Sequence, residues 1–148
     1  MAGVGLTIEY DDVALQRALG RLMDVADDLE PLWRDIGEYL LQSIDARFDA
    51  QVDPEGTPWA PLAPSTRRRK RGSKILTERG HLRDIAYQVH PDGLDVGTNM
   101  IYGAIQQLGG QAGGGVEIPA RPYLGLSADD VDEIEALVAD FVAGLAAP

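Results

Sequence analysis

Residues 53–85 read DPEGTPWAPLAPSTRRRKRGSKILTERGHLRDI and separate two helical patterns from a hairpin pattern. The first half of this stretch contains four prolines: Pro54, Pro58, Pro61 and Pro64. Proline fixes φ and removes a backbone donor, so neither a helix nor a central strand persists there. The sequence therefore predicts a long proline-rich and basic loop over residues 53–74. Loops of this length in compact domains are usually functional or disordered, and Trp59 and Leu62 favour a contact with an apolar surface.

Positive charge is concentrated in the second half of the same stretch. Residues 66–83 contain eight basic side chains and one acidic side chain, although the net charge of the whole chain is −11. Three interpretations stay open for these residues: contact with nucleic-acid phosphates, pairing with acidic helices of a neighbouring copy, and a merely solvated loop. Pairing between copies would be head to tail, a geometry that generates rings.

Length and composition limit the class of protein. The chain has 148 residues, 45% of them apolar, which predicts a single domain over residues 1–148 with one core. The absence of cysteine excludes disulfides and thiolate metal sites. The sequence shows no signal-peptide pattern and no apolar run of about 20 residues, so we expect no membrane partner.

Apolar residues at three- and four-residue steps predict three main helices. Two of them cover residues 12–30 and roughly 31–51, and Pro31 marks the boundary because proline suits the first turn of a helix. The last helix opens at Ser127, with Asp130 three residues later in a capping-box arrangement.

The segment between the basic stretch and the last helix predicts a sheet and two loops. Residues 85–98 alternate around an Asp-Gly turn, the signature of a β-hairpin. A short helix is expected over residues 100–108 and a glycine-rich loop over 109–117. Residues 118–124 should be extended, either as an edge strand or as a strand that docks at a subunit boundary. We predict an α+β fold in which two N-terminal helices and a C-terminal helix pack on a small, mainly antiparallel sheet containing the 85–98 hairpin, with long extended loops.

Convergent catalytic groups are not evident in the sequence. Ser65, His81 and Asp84 form a triad only on paper, since no nucleophile-elbow glycine pattern accompanies them. The acidic groups within residues 24–28 and 129–132 lack the spacing of a calcium loop, and we interpret them as a solvated face and as helix-terminus charge. We therefore predict no enzyme activity, no metal and no cofactor.

Four segments, taken in order and at these spacings, resemble a known family. They are Glu55–Leu62 (EGTPWAPL), Ile75–Arg83 (ILTERGHLR), Val96-Gly97 followed by Tyr102–Gly109 (YGAIQQLG), and Ile118–Gly125 (IPARPYLG). The chain resembles the phage virion morphogenesis (tail completion) proteins of contractile-tailed phages and prophages. One difference is visible, because Gln106 stands where the family often has a histidine.

The resemblance implies an α+β fold shared with small neck and tail-terminating subunits, and a structural role without catalysis. The implied function is to complete or terminate the phage tail, or to form part of the head–tail neck, as a ring of identical subunits with a hexamer as the expected form. Implied partners are other copies of the chain, tail tube, sheath or neck proteins, and packaged DNA. The expected location is the virion, after assembly in the host cytoplasm. The alternative is a nucleic-acid-binding accessory protein that acts through residues 67–74.

The expected subunit or partner interface follows from these segments and comprises Trp59, Leu62, Arg67, Arg68, Arg69, Lys70, Arg71, Lys74, Arg121 and Tyr123. Trp59 and Tyr123 are either anchors in a neighbour, as aromatic residues often are, or core residues of their own domain. Arg121 is the single basic residue of residues 84–148, which contain ten acidic ones. We therefore expect Arg121 to pair with a carboxylate.

Overall fold

The computed structural model describes residues 13, 17, 20–22, 24, 28–62, 85–91, 93–98 and 103–146. The N-terminal residues among these, from 13 to 24, are helical, in agreement with the predicted first helix. The basic run Arg67–Lys74 and the predicted start of the short helix at residue 100 lie outside the described residues.

Helix α1 spans Glu30–Ala50 and supports the first hairpin and the last helix of the chain, which both pack on it. Pro31 lies in its first turn, as predicted, and Gln51 ends the helix in the left-handed conformation. The apolar stripe read from the sequence is buried along the whole helix: Leu32, Trp33, Ile36, Leu40, Ile44 and Phe48. Trp33 is a core residue, since its side chain is 4% exposed.

The predicted hairpin forms strands β1 (Ala86–His90) and β2 (Gly93–Gly97). Tyr87 pairs with Val96 and Val89 pairs with Leu94 across this antiparallel ladder. The ladder packs on α1. Gly37 permits that approach, because a Cβ atom at this position would lie 2.7 Å from the Tyr87 ring.

The segment that follows differs in part from the prediction. Helix α2 spans Gly103–Leu108, but the glycine-rich residues expected as a loop form a second hairpin. Its strands are β3 (Gly110–Ala112) and β4 (Val116–Ile118), joined by a tight turn over Gly113–Gly115. The expected edge strand over residues 118–124 is absent beyond Ile118, because the following backbone bonds to side chains and to α2 instead of to a strand.

Helix α3 spans Ala128–Ala146 and packs along α1. The predicted capping box is confirmed: the Ser127 N–H donates to Asp130 Oδ2 at 2.9 Å, and the Asp130 N–H donates to Ser127 Oγ at 3.0 Å. These two bonds satisfy backbone donors that the first turn of a helix otherwise leaves free.

Two contiguous groups of apolar side chains form the interior, and α1 contributes to both. One lies between α1, α3 and the β1–β2 hairpin and includes Leu22, Trp33 and Ile134. The other lies at the C-terminal end of α1 and consists of Ile44, Phe48, Trp59, Tyr123 and Leu124. The fold is α+β, as predicted, with two separate two-stranded antiparallel sheets in the described residues.

Candidate functional site

Three of the candidate interface residues, Trp59, Arg121 and Tyr123, meet at a segment over residues 119–124, here called the proline strap. At its centre, Arg121 is 7% exposed. Its Nε donates to the Ala60 carbonyl at 2.8 Å and its Nη2 donates to the Pro61 carbonyl at 2.9 Å. No carboxylate of the described residues pairs with Arg121 in the way that the sequence predicts. The guanidinium fork suits two adjacent backbone carbonyls, and burial lowers the pKa of Arg121.

Trp59 and Tyr123 lie in the interior of their own subunit, which is the second of the two interpretations left open. Trp59 Nε1 donates to the Pro122 carbonyl at 2.7 Å, and the Phe48 ring packs between Trp59 and Tyr123 at centroid distances of 5.4 Å and 5.7 Å. The Tyr123 hydroxyl donates to the Gly103 carbonyl at 2.9 Å, and burial raises its pKa to about 12. Both aromatic residues therefore tie the strap to α1 and α2.

Gln107 binds the strap from the opposite side, and sequence reasoning missed this role. Its Oε1 accepts from the backbone N–H groups of Tyr123 and Leu124, both at 3.0 Å. Its Nε2 donates to the Leu124 carbonyl at 3.1 Å. A side-chain amide thus replaces the neighbouring strand that an extended segment usually requires. The neighbouring Gln106 stands where the family that this chain resembles often has a histidine. Its buried Oε1 has no hydrogen-bond partner among the described residues.

A buried ion pair joins the strap to the two long helices. Arg47 of α1 and Asp130 of α3 bond through Nη2 and Oδ2, and their side chains are 6% and 1% exposed. Arg47 Nη1 also donates to the Tyr123 carbonyl at 2.9 Å. The second Asp130 oxygen accepts from Tyr39 Oη at 2.9 Å and from Ser43 Oγ at 2.5 Å. Asp130 therefore uses four acceptor contacts, which is what a buried carboxylate needs to remain ionised.

The surroundings of this pair favour the charged form of Asp130. Burial alone would raise the pKa of Asp130, but hydrogen bonds from the Ser127 N–H, Ser43 and Tyr39 and the charge of Arg47 lower it below its usual value. Burial lowers the pKa of Arg47 against the opposing charge of Asp130. Burial and the bond to Asp130 raise the pKa of Tyr39 to about 12. The carboxylate is therefore ionised and the tyrosine neutral at pH 7.

The proline strap also bonds to backbone near two other parts of the chain. Arg121 donates to the carbonyls of Ala60 and Pro61, just before the last described residue of this stretch, Leu62. Its backbone N–H donates to the Gln106 carbonyl at 2.7 Å, beside the start of the β3–β4 hairpin. Leu62 itself is half-buried. The structure therefore brings together Trp59, Arg121 and Tyr123, whereas Arg67, Arg68, Arg69, Lys70, Arg71 and Lys74 lie outside the described residues.

A surface cleft of about 520 Å³ lies between the start of α1 and strand β1. Several polar side chains along it are paired with other side chains of the same chain. The Tyr87 hydroxyl donates to Glu38 at 2.8 Å, Arg34 Nε donates to Glu30 at 2.9 Å, and His90 Nε2 lies 2.7 Å from Asp95 Oδ2. Among the described residues, no three acidic, histidine or cysteine side chains are arranged to hold a metal ion. No described helix has the length and apolar character needed to cross a membrane.

Buried ionic and amide groups here hold elements of one chain together. The sequence profile of the phage virion morphogenesis family matches residues 10–143. The chain belongs to the phage virion morphogenesis family, as the resemblance of its four segments implied.

Two relatives show how far the similarity extends. The Mu-like prophage FluMu G protein 1 of Haemophilus influenzae is 31% identical over 136 residues, which cover 88% of this chain and 90% of the relative. Tail completion protein S of Escherichia phage P2 is 29% identical over 136 residues, which cover 80% of this chain and 90% of the relative. No solved structure matches the chain.

Proposed function

We propose that this protein is a structural virion subunit that completes or terminates a phage tail, or forms part of the head–tail neck, as a ring of identical copies. Family membership supports the virion role, and a relative bears the name tail completion protein. The observation that carries the proposal is the proline strap, because its Arg121 bonds both to Ala60 and Pro61, just before the basic run in the sequence, and to Gln106, beside the β3–β4 hairpin. A ring subunit needs a body whose parts are joined in this way, and we infer that the basic run and the hairpin reach its neighbours.

Within this proposal the interface residues divide into two roles. The basic residues from Arg67 to Lys74 contact acidic surfaces of a neighbouring copy or of a tail protein, with Leu62 at the edge of that contact. Trp59, Arg121 and Tyr123 act as positioning residues, since their side chains are buried in the subunit. Charge complementarity of this kind sets register and association rate more than affinity.

The test is the mass of the purified full chain by light scattering after size exclusion, with negative-stain images of any large species. We expect a closed ring, and immunogold labelling of particles from a producing host should mark one end of the tail. A protein that is monomeric at all concentrations and absent from particles contradicts the proposal. Labelling along the whole tail shaft also contradicts it.

A second candidate function is DNA binding through residues 67–74, favoured by eight basic side chains within residues 66–83 of an otherwise acidic chain. It is compatible with the first, because a neck ring encloses packaged DNA. Its signature is a DNA affinity that falls with salt at a logarithmic slope of about 0.9 per phosphate contacted. A chain with all six basic residues from Arg67 to Lys74 changed to glutamine should lose that slope, whereas Arg17→Gln with Arg21→Gln, at two exposed arginines, should keep it.

A further inference from the structure

The proline strap belongs to an interior that is separate from the main one. The apolar group at the C-terminal end of α1 includes Phe48, Trp59, Tyr123 and Leu124, and none of its buried members belongs to the group between α1, α3 and the β1–β2 hairpin. The packing between elements divides in the same way. Helix α1 packs on α3 and on the first hairpin, whereas β3 and β4 pack chiefly on each other. Loss of packing around the strap therefore does not require loss of the main core.

Residues 51–62 are bonded to the strap through three N–H donors. The Trp59 indole donates to the Pro122 carbonyl, and the Arg121 guanidinium donates twice, to the two carbonyls that follow Trp59 in the sequence. If the strap moved away, all three donors would lose these acceptors. A buried donor that loses its acceptor is costly, so residues 51–62 and the strap are stable in this arrangement only together.

Helix α2 and the β3–β4 hairpin are bonded to the strap from the other side of the sequence. The Gln107 amide accepts from two strap N–H groups, and the Arg121 N–H donates to the Gln106 carbonyl. Both glutamines lie in α2, which continues into the hairpin through Gly109. A Cβ atom at Gly109 would lie 2.7 Å from the Ala120 nitrogen, so the base of the hairpin lies directly against the strap.

We propose that residues 51–62, the strap, α2 and the β3–β4 hairpin form one cooperative unit, which opens as a whole while α1, α3 and the β1–β2 hairpin stay folded. Arg121 joins the two halves of this unit, because its side chain holds residues 60 and 61 and its N–H holds α2. Proteins open locally in contiguous cooperative units of this kind. The bonds of the unit lie within one subunit, so the inference does not depend on the ring proposed above.

The unit couples the start of the basic run to the β3–β4 hairpin. Arg67, the first residue of the run, follows Pro61 by six positions, which is at most about 22 Å of extended chain. A partner that binds the basic run and draws Pro61 away from Arg121 therefore also releases the hairpin. By thermodynamic linkage, a partner that holds the hairpin in place strengthens the attachment of residues 60 and 61.

Hydrogen exchange of the native full chain, followed by NMR at urea concentrations below the unfolding transition, measures the opening of each amide. Three probes are backbone N–H groups that donate to backbone carbonyls within the unit, those of Trp59, Gly109 and Arg121. Leu40, in the middle of α1, is the reference. We expect the three probes to share one opening equilibrium and one urea dependence, since that slope follows the surface exposed. Leu40 should exchange at least about tenfold more slowly.

Two results of this measurement overturn the proposal. Different urea slopes for the three probes would show that the parts of the unit open separately. Exchange of Leu40 in the same event would show that the chain opens only as a whole. Neither result depends on self-association, so the coupling and the proposed ring are tested separately.

Gln107→Ala tests the coupling across the strap, because the Gln107 amide bonds to the strap and not to residues 51–62. The substitution should speed exchange at Trp59 by the same factor as at Arg121, at least about tenfold, and leave Leu40 unchanged. Gln111→Ala, at an exposed glutamine of β3, is the matched control and should change none of these rates. Faster exchange in the strap with an unchanged rate at Trp59 overturns the proposal.

Trp59→Phe tests the same coupling in the opposite direction and keeps an aromatic ring in the interior. It removes the indole donor to the Pro122 carbonyl. Exchange at Gly109, on the far side of the strap, should become faster by the same factor as exchange at position 59. An unchanged rate at Gly109 overturns the proposal.

Discussion

Asp130 links α3 to α1 and, through Arg47, to the proline strap. It caps α3 through Ser127, accepts from Tyr39 and Ser43 of α1, and pairs with Arg47, which in turn binds the Tyr123 carbonyl. A buried ion pair of this kind contributes little net stability relative to an apolar pair, but removing one member leaves an uncompensated charge. Its value in a structural subunit is that one set of contacts sets the positions of two helices and the strap.

Asp130→Asn should lower the free energy of unfolding by about 3–5 kcal/mol, because Arg47 is left as a buried charge without its partner. Urea denaturation of the purified subunit measures the loss. The control is Glu135→Gln on the exposed face of the same helix, beyond its first turn, which should leave the unfolding midpoint unchanged. Equal effects of the two substitutions would show that the buried pair does not have the role assigned to it.

The Asp130 carboxylate should also affect how the stability of the fold falls at acid pH, here called the acid limb. The pKa of Asp130 is lowered in the folded state, so the unfolded chain binds the proton first as the pH falls. Its contribution is complete above the unfolded-state pKa of about 3.9 and is lost as the pH falls through the lower folded-state value. Thermal unfolding as a function of pH should show a flatter acid limb for Asp130→Asn than for the native chain. Parallel curves would contradict the assignment.

Arg121 is predicted to matter for folding before assembly. Arg121→Ala removes the donors for two partly buried carbonyls, each of which costs about 1–3 kcal/mol when left unsatisfied. The isolated subunit should therefore unfold at lower urea concentration, while Arg34→Ala, at an exposed pair within α1, should not change the midpoint. If the variant folds normally and loses only self-association, Arg121 acts directly at the interface between copies.

At the scale of elements, α1 is the common support of α3 and the β1–β2 hairpin. The hairpin reaches α1 at the position of Gly37, where the Tyr87 ring lies directly over the backbone. A substitution at Gly37 therefore tests how the β1–β2 hairpin packs on α1.

Gly37→Ala should destabilise the subunit by about 1–3 kcal/mol through overpacking against Tyr87. Calorimetry measures the shift in melting temperature. Gly20→Ala is a matched control in another helical segment, where no atom lies within 4 Å of the added Cβ, and it should be neutral or stabilising by up to about 1 kcal/mol. The loss of stability caused by Gly37→Ala should be smaller in a chain that also carries Tyr87→Leu. An equal loss in both backgrounds would show that the added methyl group does not clash with Tyr87.

At the scale of the whole molecule, the charges are segregated along the chain. Residues 84–148 contain ten acidic side chains and one basic side chain, and that one, Arg121, is occupied by backbone carbonyls. The basic residues within 66–83 are therefore the main source of positive charge for the proposed contacts between copies.

Ring mass should accordingly fall as salt rises, because exposed charges are screened beyond about 8–10 Å at physiological ionic strength. The variant with glutamine at all six positions from Arg67 to Lys74 should show weaker and less salt-dependent assembly in light scattering. Arg17→Gln with Arg21→Gln removes two exposed arginines as a control and should behave like the native chain. Rings that are insensitive to salt would show that exposed charges do not hold the copies together.

The sequence by itself determined the elements whose signals are local. The buried stripe of α1, the Asp-Gly hairpin and the Ser127–Asp130 capping box each involve residues within a few turns or one tight loop, where periodicity and turn chemistry decide the outcome. The family also followed from sequence, because its four segments survive as contiguous motifs. Only the tertiary structure decided what those motifs do. Arg121 meets Ala60 across 61 positions and Arg47 meets Asp130 across 83 positions. Burial then selects backbone carbonyls for one arginine and a carboxylate for the other, because each charge must be satisfied by the groups that folding brings within reach.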